Sequence, residues 1–338
     1  MNTEIIDIKK EYERALAAAD EVLKRGDVAA IPTETVYGLA ADALKEEAVK
    51  KIFAAKGRPA DNPLIVHICD IKQLPALVEE VPEKAKLLAA RFWPGPLTMI
   101  MKKSRLISKT VSGGLDTVAV RMPSSPAARA IIERCSMPLA APSANLSGSP
   151  SPTNAKYVFD DMNGRIPLII DGGSCEIGVE STVISLAEKP PRLLRPGGVT
   201  LEEMTAVIGE ITVDEAVLNR LAEGKKAASP GMKYKHYAPK ADITIIKGSF
   251  EQFKELVTKD SAAALCFDGE GEYLGCPYVE YGGKDDSYSQ SARLFSALRE
   301  LDEIGARKVY ARCPDTSGMG LAVYNRLIRA AGFKIIIA

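Results

Sequence analysis

Histidine and tryptophan are nearly absent from this chain, with two of the first and one of the second among 338 residues. The six cysteines, Cys69, Cys135, Cys175, Cys266, Cys276 and Cys313, include no C-x-x-C pair. Zinc and disulfide frameworks are therefore not expected, and buried free thiols in a reducing compartment are. Net charge is missing too, because 44 basic side chains face 44 acidic ones. A protein whose main task is coating nucleic acid carries a basic excess, so no strong direct nucleic-acid binding is expected and any cationic site must be local. No apolar run reaches membrane-spanning length, and Met1-Asn2-Thr3-Glu4-Ile5-Ile6-Asp7 has neither the basic nor the apolar region of a signal peptide. The expectation is a cytoplasmic protein with no membrane partner. From residue 241 onward there is no G-x-G-x-x-G, no Walker loop and no nucleophile triad.

What is present is concentrated on loops. In Lys56-Gly57-Arg58-Pro59-Ala60-Asp61-Asn62-Pro63-Leu64, two cations bracket a glycine, and the following proline cannot continue a helix. Residues 46–55 before it have the spacing of an amphipathic helix, with Val49, Ile52 and Phe53 on one side. Leu64-Ile65-Val66-His67-Ile68 after it has the composition of a buried strand. Lys56, Arg58 and Asn62 thus sit between two core elements, where a point charge and a planar fork suit phosphate or carboxylate. The bland alternative is a helix C-terminus with favourable cations.

Further along, Pro32-Thr33-Glu34-Thr35-Val36-Tyr37-Gly38 leaves a short strand with a dense set of hydrogen-bonding groups; a turn of self-capping threonines would use the same residues. Arg121 lies in the apolar strand 117–122, so it is either a structural ion pair or an anion ligand. Small hydroxyl residues with glycine and proline from Pro142 to Thr153 let backbone approach a ligand closely, and Thr153 is expected to cap the next helix. Gly178-Val179-Glu180-Ser181-Thr182 feeds another strand, Arg195 ends one before Gly197-Gly198, and Thr200 to Glu203 has capping-box spacing.

Helical periodicity predicts helices over 8–25, 82–92, 126–134, 250–257, 289–304 and 322–330. Strand and helix patterns alternate from 242 to 337, which implies a small parallel α/β domain. The stretch from Glu223 to Lys240 lacks a period and is rich in Lys, Tyr and Pro, so the expected organisation is 1–213, a linker over 214–240, and 241–338. That linker, with Met232, Tyr234 and Tyr237 as anchors, is expected to cover the mouth of the first domain, the second domain holding its far end.

Together these motifs resemble the YrdC/Sua5 family. The resemblance rests on Pro32 to Leu39, Lys56 to Leu64, Phe92-Trp93-Pro94-Gly95-Pro96-Leu97-Thr98 and Ala141-Pro142-Ser143-Ala144-Asn145. Ser229 to Pro239 and the trailing domain resemble the longer Sua5 form. It implies an α/β fold, a large twisted, mixed open sheet with flanking helices plus a smaller Rossmann-like parallel domain. It also implies a nucleotidyltransferase that joins L-threonine, bicarbonate and ATP into threonylcarbamoyl-adenylate and releases pyrophosphate. The product would pass to the threonylcarbamoyl transferase machinery acting on adenosine 37 of tRNA.

By the same resemblance, Lys56 and Arg58 would be catalytic and would face the phosphates. Arg58, Asn62, Thr117, Ser143, Asn145, Ser151, Arg195 and Tyr234 would hold ATP, with Mg2+ accompanying the nucleotide. Thr35, His67, Arg121, Ala141 and Ser181 would hold threonine, Arg121 meeting its carboxylate bidentately. Two rival readings are an RNA-binding, translation-regulating module of the same type and the related carbamoyl-transfer protein of hydrogenase maturation. Neutral total charge weighs against the first, and missing zinc-finger cysteines against the second.

Overall fold

Short β-branched and alanine-rich runs between turn residues supply the frame. A computed structural model describes residues 2–219 and 237–338. In the first part, β1 (Glu4–Asp7), β2 (Ala29–Ile31), β3 (Gly38–Asp42), β4 (Ile65–His67), β5 (Leu97–Lys102), β6 (Thr117–Arg121), β7 (Leu139–Ala140), β8 (Leu168–Asp171), β9 (Thr182–Ser185), β10 (Arg192–Arg195) and β11 (Thr212–Val213) form one sheet. Its order is β1-β8-β2-β3-β7-β4-β6-β5-β9-β10-β11. Parallel pairs such as β4 with β6 alternate with antiparallel pairs such as β5 with β6, so the sheet is mixed as expected. Several strands are buried along their whole length, which explains their unbroken apolar runs.

The second part has β12 (Asp242–Lys247), β13 (Ala263–Cys266), β14 (Tyr278–Glu280), β15 (Lys308–Arg312) and β16 (Ile335–Ile337) in the order β14-β13-β15-β12-β16. Every pairing among them is parallel, in agreement with the alternating pattern. Helices Ser287–Glu303 and Gly318–Ala330 cover this sheet, and their buried leucines join Val309, Ala311, Ile243 and Ile245 in one core. Val36 and Val179 of the first part belong to that core as well.

Element ends differ from the sequence expectation where side chains beyond the apolar stripe decide. The first helix runs Tyr12–Lys24, because residues 8–11 form a turn after β1 in which the N–H groups of Lys10 and Glu11 donate to the Asp7 carbonyl. The helix near the C-terminus begins at Gly318, a turn before its apolar run. Thr153 does not cap the helix Ala155–Met162; Asn154 does, accepting from the Tyr157 N–H at 3.0 Å. Thr153 instead exchanges a 3.0 Å hydrogen bond with Ser296 on the second part. The capping box at Thr200 forms as its spacing predicts.

Candidate active site

The helix Glu46–Lys56 presents Val49, Ile52 and Phe53 to the core and stops at Gly57, whose φ of 61° gives a left-handed C-cap. The chain then turns through Arg58 to Pro63 and enters β4. Beside that turn, the edges of β3, β4, β6, β9 and β10 enclose a cavity. Its wall includes Thr35, Arg58, His67, Arg121, Ala141, Ser143, Ser181 and Arg195. Eight residues expected from the sequence are thus brought together, from segments as far apart as 35 and 195.

Two of its cations are Arg58 and Arg195. Arg58 donates from Nη2 to the Pro63 carbonyl at 3.2 Å, and burial, with Arg195 nearby, pulls its pKa down to about 10. Arg195 lies at the end of β10, with Nε donating to the Ser181 carbonyl at 3.0 Å and Nη2 to the Ser181 hydroxyl at 3.2 Å. Ser181 in turn shares a 2.7 Å hydrogen bond with Thr98.

Arg121 is held from three directions. Its Nε donates to the Gly95 carbonyl at 3.3 Å, Nη1 donates to Thr35 Oγ1 at 2.9 Å, and Nη2 lies 2.7 Å from Glu34 Oε1. The two readings left open for Arg121 therefore coexist: it is a structural ion pair and it lines the cavity. Glu34 and Thr35 hold the guanidinium in place, and Nη2 makes no hydrogen bond among the described residues despite the ion pair. Burial by itself would raise the Glu34 carboxyl, but the Arg121 charge and the Ser124 N–H outweigh it and hold the pKa at about 2. The threonines do cap their own turn, since Thr33 Oγ1 accepts from the N–H of Thr35 and Val36. Next to them, burial and the Arg121 charge push His67 down to about 3, so it stands in the wall as neutral imidazole. Its Nδ1 has no hydrogen-bond partner among the described residues.

Lys56 is bound to the neighbouring 143–145 loop. Its ammonium donates to the Ser143 carbonyl, to the Asn145 carbonyl at 2.7 Å and to Asn145 Oδ1 at 3.3 Å. Three acceptors use three N–H groups, so Lys56 lies beneath the 143–145 loop and outside the cavity wall. The loop carbonyls need a buried donor, and Lys56 supplies it. Asn145 is consumed in the same loop, accepting from Ser143 Oγ at 2.5 Å and donating to the carbonyls of Leu146 and Ser149 at 2.8 Å. Asn62, Thr117 and Ser151 do not line this small cavity. Thr117 pairs with Lys102 in the sheet, and Ser151 donates to Glu180 at 2.6 Å. Tyr234 lies outside the described residues, as does most of the segment expected to cover the mouth.

Residues not singled out as site residues complete the wall. Glu180 and Tyr237 line it, and Tyr237 is buried against Phe295 with ring centroids 5.1 Å apart. The carboxylate of Glu180 was visible beside Ser181, but its partner, Arg326, is 146 residues away in sequence and gave no local signal. Among the described residues no group of three or more His, Cys, Asp or Glu could hold a metal ion, and no helix is long and apolar enough to cross a membrane.

The Sua5/YciO/YrdC family model, described as "Telomere recombination", matches residues 21–197, and the model described as "Threonylcarbamoyl-AMP synthase, C-terminal domain" matches 199–332. A threonylcarbamoyl-AMP synthase of Pyrococcus abyssi is 48% identical, covering 99% of each chain. One from Bacillus subtilis is 46% identical over 98% of this chain and 97% of its own. The crystal structure of P. abyssi Sua5 complexed with L-threonine superposes with a TM-score of 0.90 at 46% identity, covering 100% of this chain and 98% of that one. The chain belongs to the Sua5/YciO/YrdC family in its long form, with the Sua5 C-terminal domain.

Proposed function

We infer that this chain is a threonylcarbamoyl-AMP synthase, a nucleotidyltransferase that makes threonylcarbamoyl-adenylate and pyrophosphate from L-threonine, bicarbonate and ATP. The observation that carries the reading is the cavity itself. It gathers Arg58 and Arg195 with a second group, Thr35, His67, Arg121 and Ser181, in a chain alike over its full length to synthases of that name.

Threonine fits the second group. Hydroxyls of Thr35 and Ser181 can bond its hydroxyl and ammonium, and Arg121, partly neutralised by Glu34, supplies a positive field for its carboxylate. Neutral His67 can accept a hydrogen bond there without repelling the ammonium. Threonine's amine loses a proton and joins bicarbonate to give a carbamate and water. A carbamate oxygen then attacks the α-phosphorus of ATP, the bond to the bridging oxygen breaks, and pyrophosphate leaves. Charge grows on the phosphate oxygens, so preorganised Arg58 and Arg195 are the stabilising groups, each worth about 3 kcal/mol in sites of this kind. Ser143 lies in the wall beside them and can donate to the nucleotide.

Mg2+ enters on the phosphates as part of the nucleotide substrate and adds to that stabilisation. Lys56 and Asn145 act indirectly, by fixing the loop that carries Ser143. Asn62, Thr117 and Ser151 complete the set assigned to ATP, and the buried Asn62 Oδ1 has no hydrogen-bond partner among the described residues. The adenylate is a mixed anhydride. It is fit for a transferase that moves the threonylcarbamoyl group to adenosine 37 of tRNA, a cytoplasmic task. Radiolabelled bicarbonate incubated with the protein, L-threonine and ATP tests the assignment. Label should appear in an adenylate that loses it on mild hydrolysis.

A further inference from the structure

Arg326 lies on the helix Gly318–Ala330 of the second part and has no exposed surface. A guanidinium so buried is tolerated only when its N–H groups find acceptors and its charge finds a partner. Most of those partners belong to the first part. Nε donates to Glu180 Oε2 at 3.0 Å, Nη2 to the Glu180 carbonyl at 3.0 Å, and Nη1 to the Pro196 carbonyl at 2.5 Å. Only the contact of Nη1 with Asn325 Oδ1, at 3.2 Å, is local.

The places gripped are next to the cavity. Glu180 lines it and precedes Ser181; Pro196 follows Arg195. The two backbones are flush here, since a Cβ on Gly197 would fall 2.3 Å from the Thr182 nitrogen. One guanidinium therefore clamps the ends of β9 and β10, from which Ser181 and Arg195 enter the site. It also takes up the charge of a carboxylate in the cavity wall, whose other oxygen accepts from Ser151 at 2.6 Å. Without Arg326 that anion would remain charged in the cavity wall, next to the place proposed for the phosphates.

We propose that Arg326 is a positioning residue for ATP: it holds the ends of β9 and β10 and keeps the Glu180 carboxylate neutralised from behind, so that no unpaired anion faces the phosphates. The proposal rests on the synthase reading. It makes the second part a structural member of the site, beyond the anchoring role expected from the sequence.

Pyrophosphate release by the full chain, with ATP varied at saturating threonine and bicarbonate, tests it. Arg326→Met should raise the KM for ATP at least tenfold. Adding Glu180→Gln should bring the KM back to within about threefold of wild type, because the unpaired charge is gone. A purely structural role predicts the reverse, since the double variant lacks the same contacts and would be at least as impaired. An unchanged KM in Arg326→Met, or no recovery in the double variant, overturns the proposal. Should Arg326→Met not fold, Arg326→Lys carries the test. It keeps a cation against Glu180 and should stay within threefold, and a tenfold rise would count against us. A wild-type protein that releases no threonine-dependent pyrophosphate overturns the activity assignment instead. Calorimetric titration of the same variants with a non-hydrolysable ATP analogue then decides the role of Arg326 independently.

Discussion

Glu34 meets Arg121, which lines the cavity, at 2.7 Å, and neither side chain exposes more than 5% of its surface. One is the first carboxylate after β2, the other the last residue of β6. Their pairing ties the loop carrying Thr35 to the middle of the sheet, and it makes the wall sensitive to acid.

The acid response follows from the folded pKa values. Glu34 and Glu180 are both held at about 2, against 4.5 for an ordinary glutamate. Between those values the unfolded chain binds the extra protons. The stability these carboxylates contribute is thus complete above about pH 4.5 and lost as pH falls through 2, on the order of 3 kcal/mol each. His67 adds an earlier loss. It stays neutral when folded down to about pH 3 but protonates near 6.5 when unfolded, so its contribution declines from pH 6.5 downward. Urea unfolding should show a free energy that starts to fall below pH 6.5 and steepens below 4.5. His67→Gln should flatten the upper limb and Glu34→Gln the lower. A free energy level from pH 6.5 to 4 would contradict this.

Lys56 and Arg58, two residues apart, should fail differently. Lys56→Met leaves the Ser143 and Asn145 carbonyls unpaired and should cost about 3 kcal/mol of unfolding free energy, with turnover reduced through a displaced loop. Arg58→Ala should leave the melting temperature within a few degrees and lower kcat roughly a hundredfold, as expected for losing one preorganised electrostatic donor. Thermal melts beside pyrophosphate release separate the two. Equal stability losses, or a stable Lys56→Met with the same kinetic defect as Arg58→Ala, would show that both meet the nucleotide.

Much of this was legible in the sequence, because fold and site are written in different signals. Alternation from 242 to 337 announced parallel strands, and Arg121 inside an apolar strand announced a buried charge that needed a partner. The residues of the wall were found since strand ends with hydroxyls and cations sit on short local motifs. What stayed hidden was long-range pairing. Lys56 reads as a phosphate ligand, and its hold on the 143–145 carbonyls shows only in the fold. Arg326 reads as one more polar residue on an amphipathic helix until Glu180 is seen 146 positions away. Direction of a side chain, set by tertiary packing, is what spacing could not supply.

Substrate choice gives another test. Threonine differs from serine by a methyl and from valine by its hydroxyl. A pocket lined by the hydroxyls of Thr35 and Ser181 loses paired hydrogen bonds when valine binds, a larger penalty than an empty methyl site. Serine should support turnover at roughly a tenth to a hundredth of threonine's kcat/KM, and valine at least two further orders below it. Comparable use of valine would mean that the hydroxyls do not read the substrate.

The most direct measurement of the central claim is pyrophosphate release by the purified full chain with each of L-threonine, bicarbonate and ATP left out in turn. The account predicts release only when all three are present, with threonylcarbamoyl-adenylate forming in equal amount by mass spectrometry. Release that continues without threonine or without bicarbonate would contradict it, because the cavity would then be activating ATP for some other acceptor.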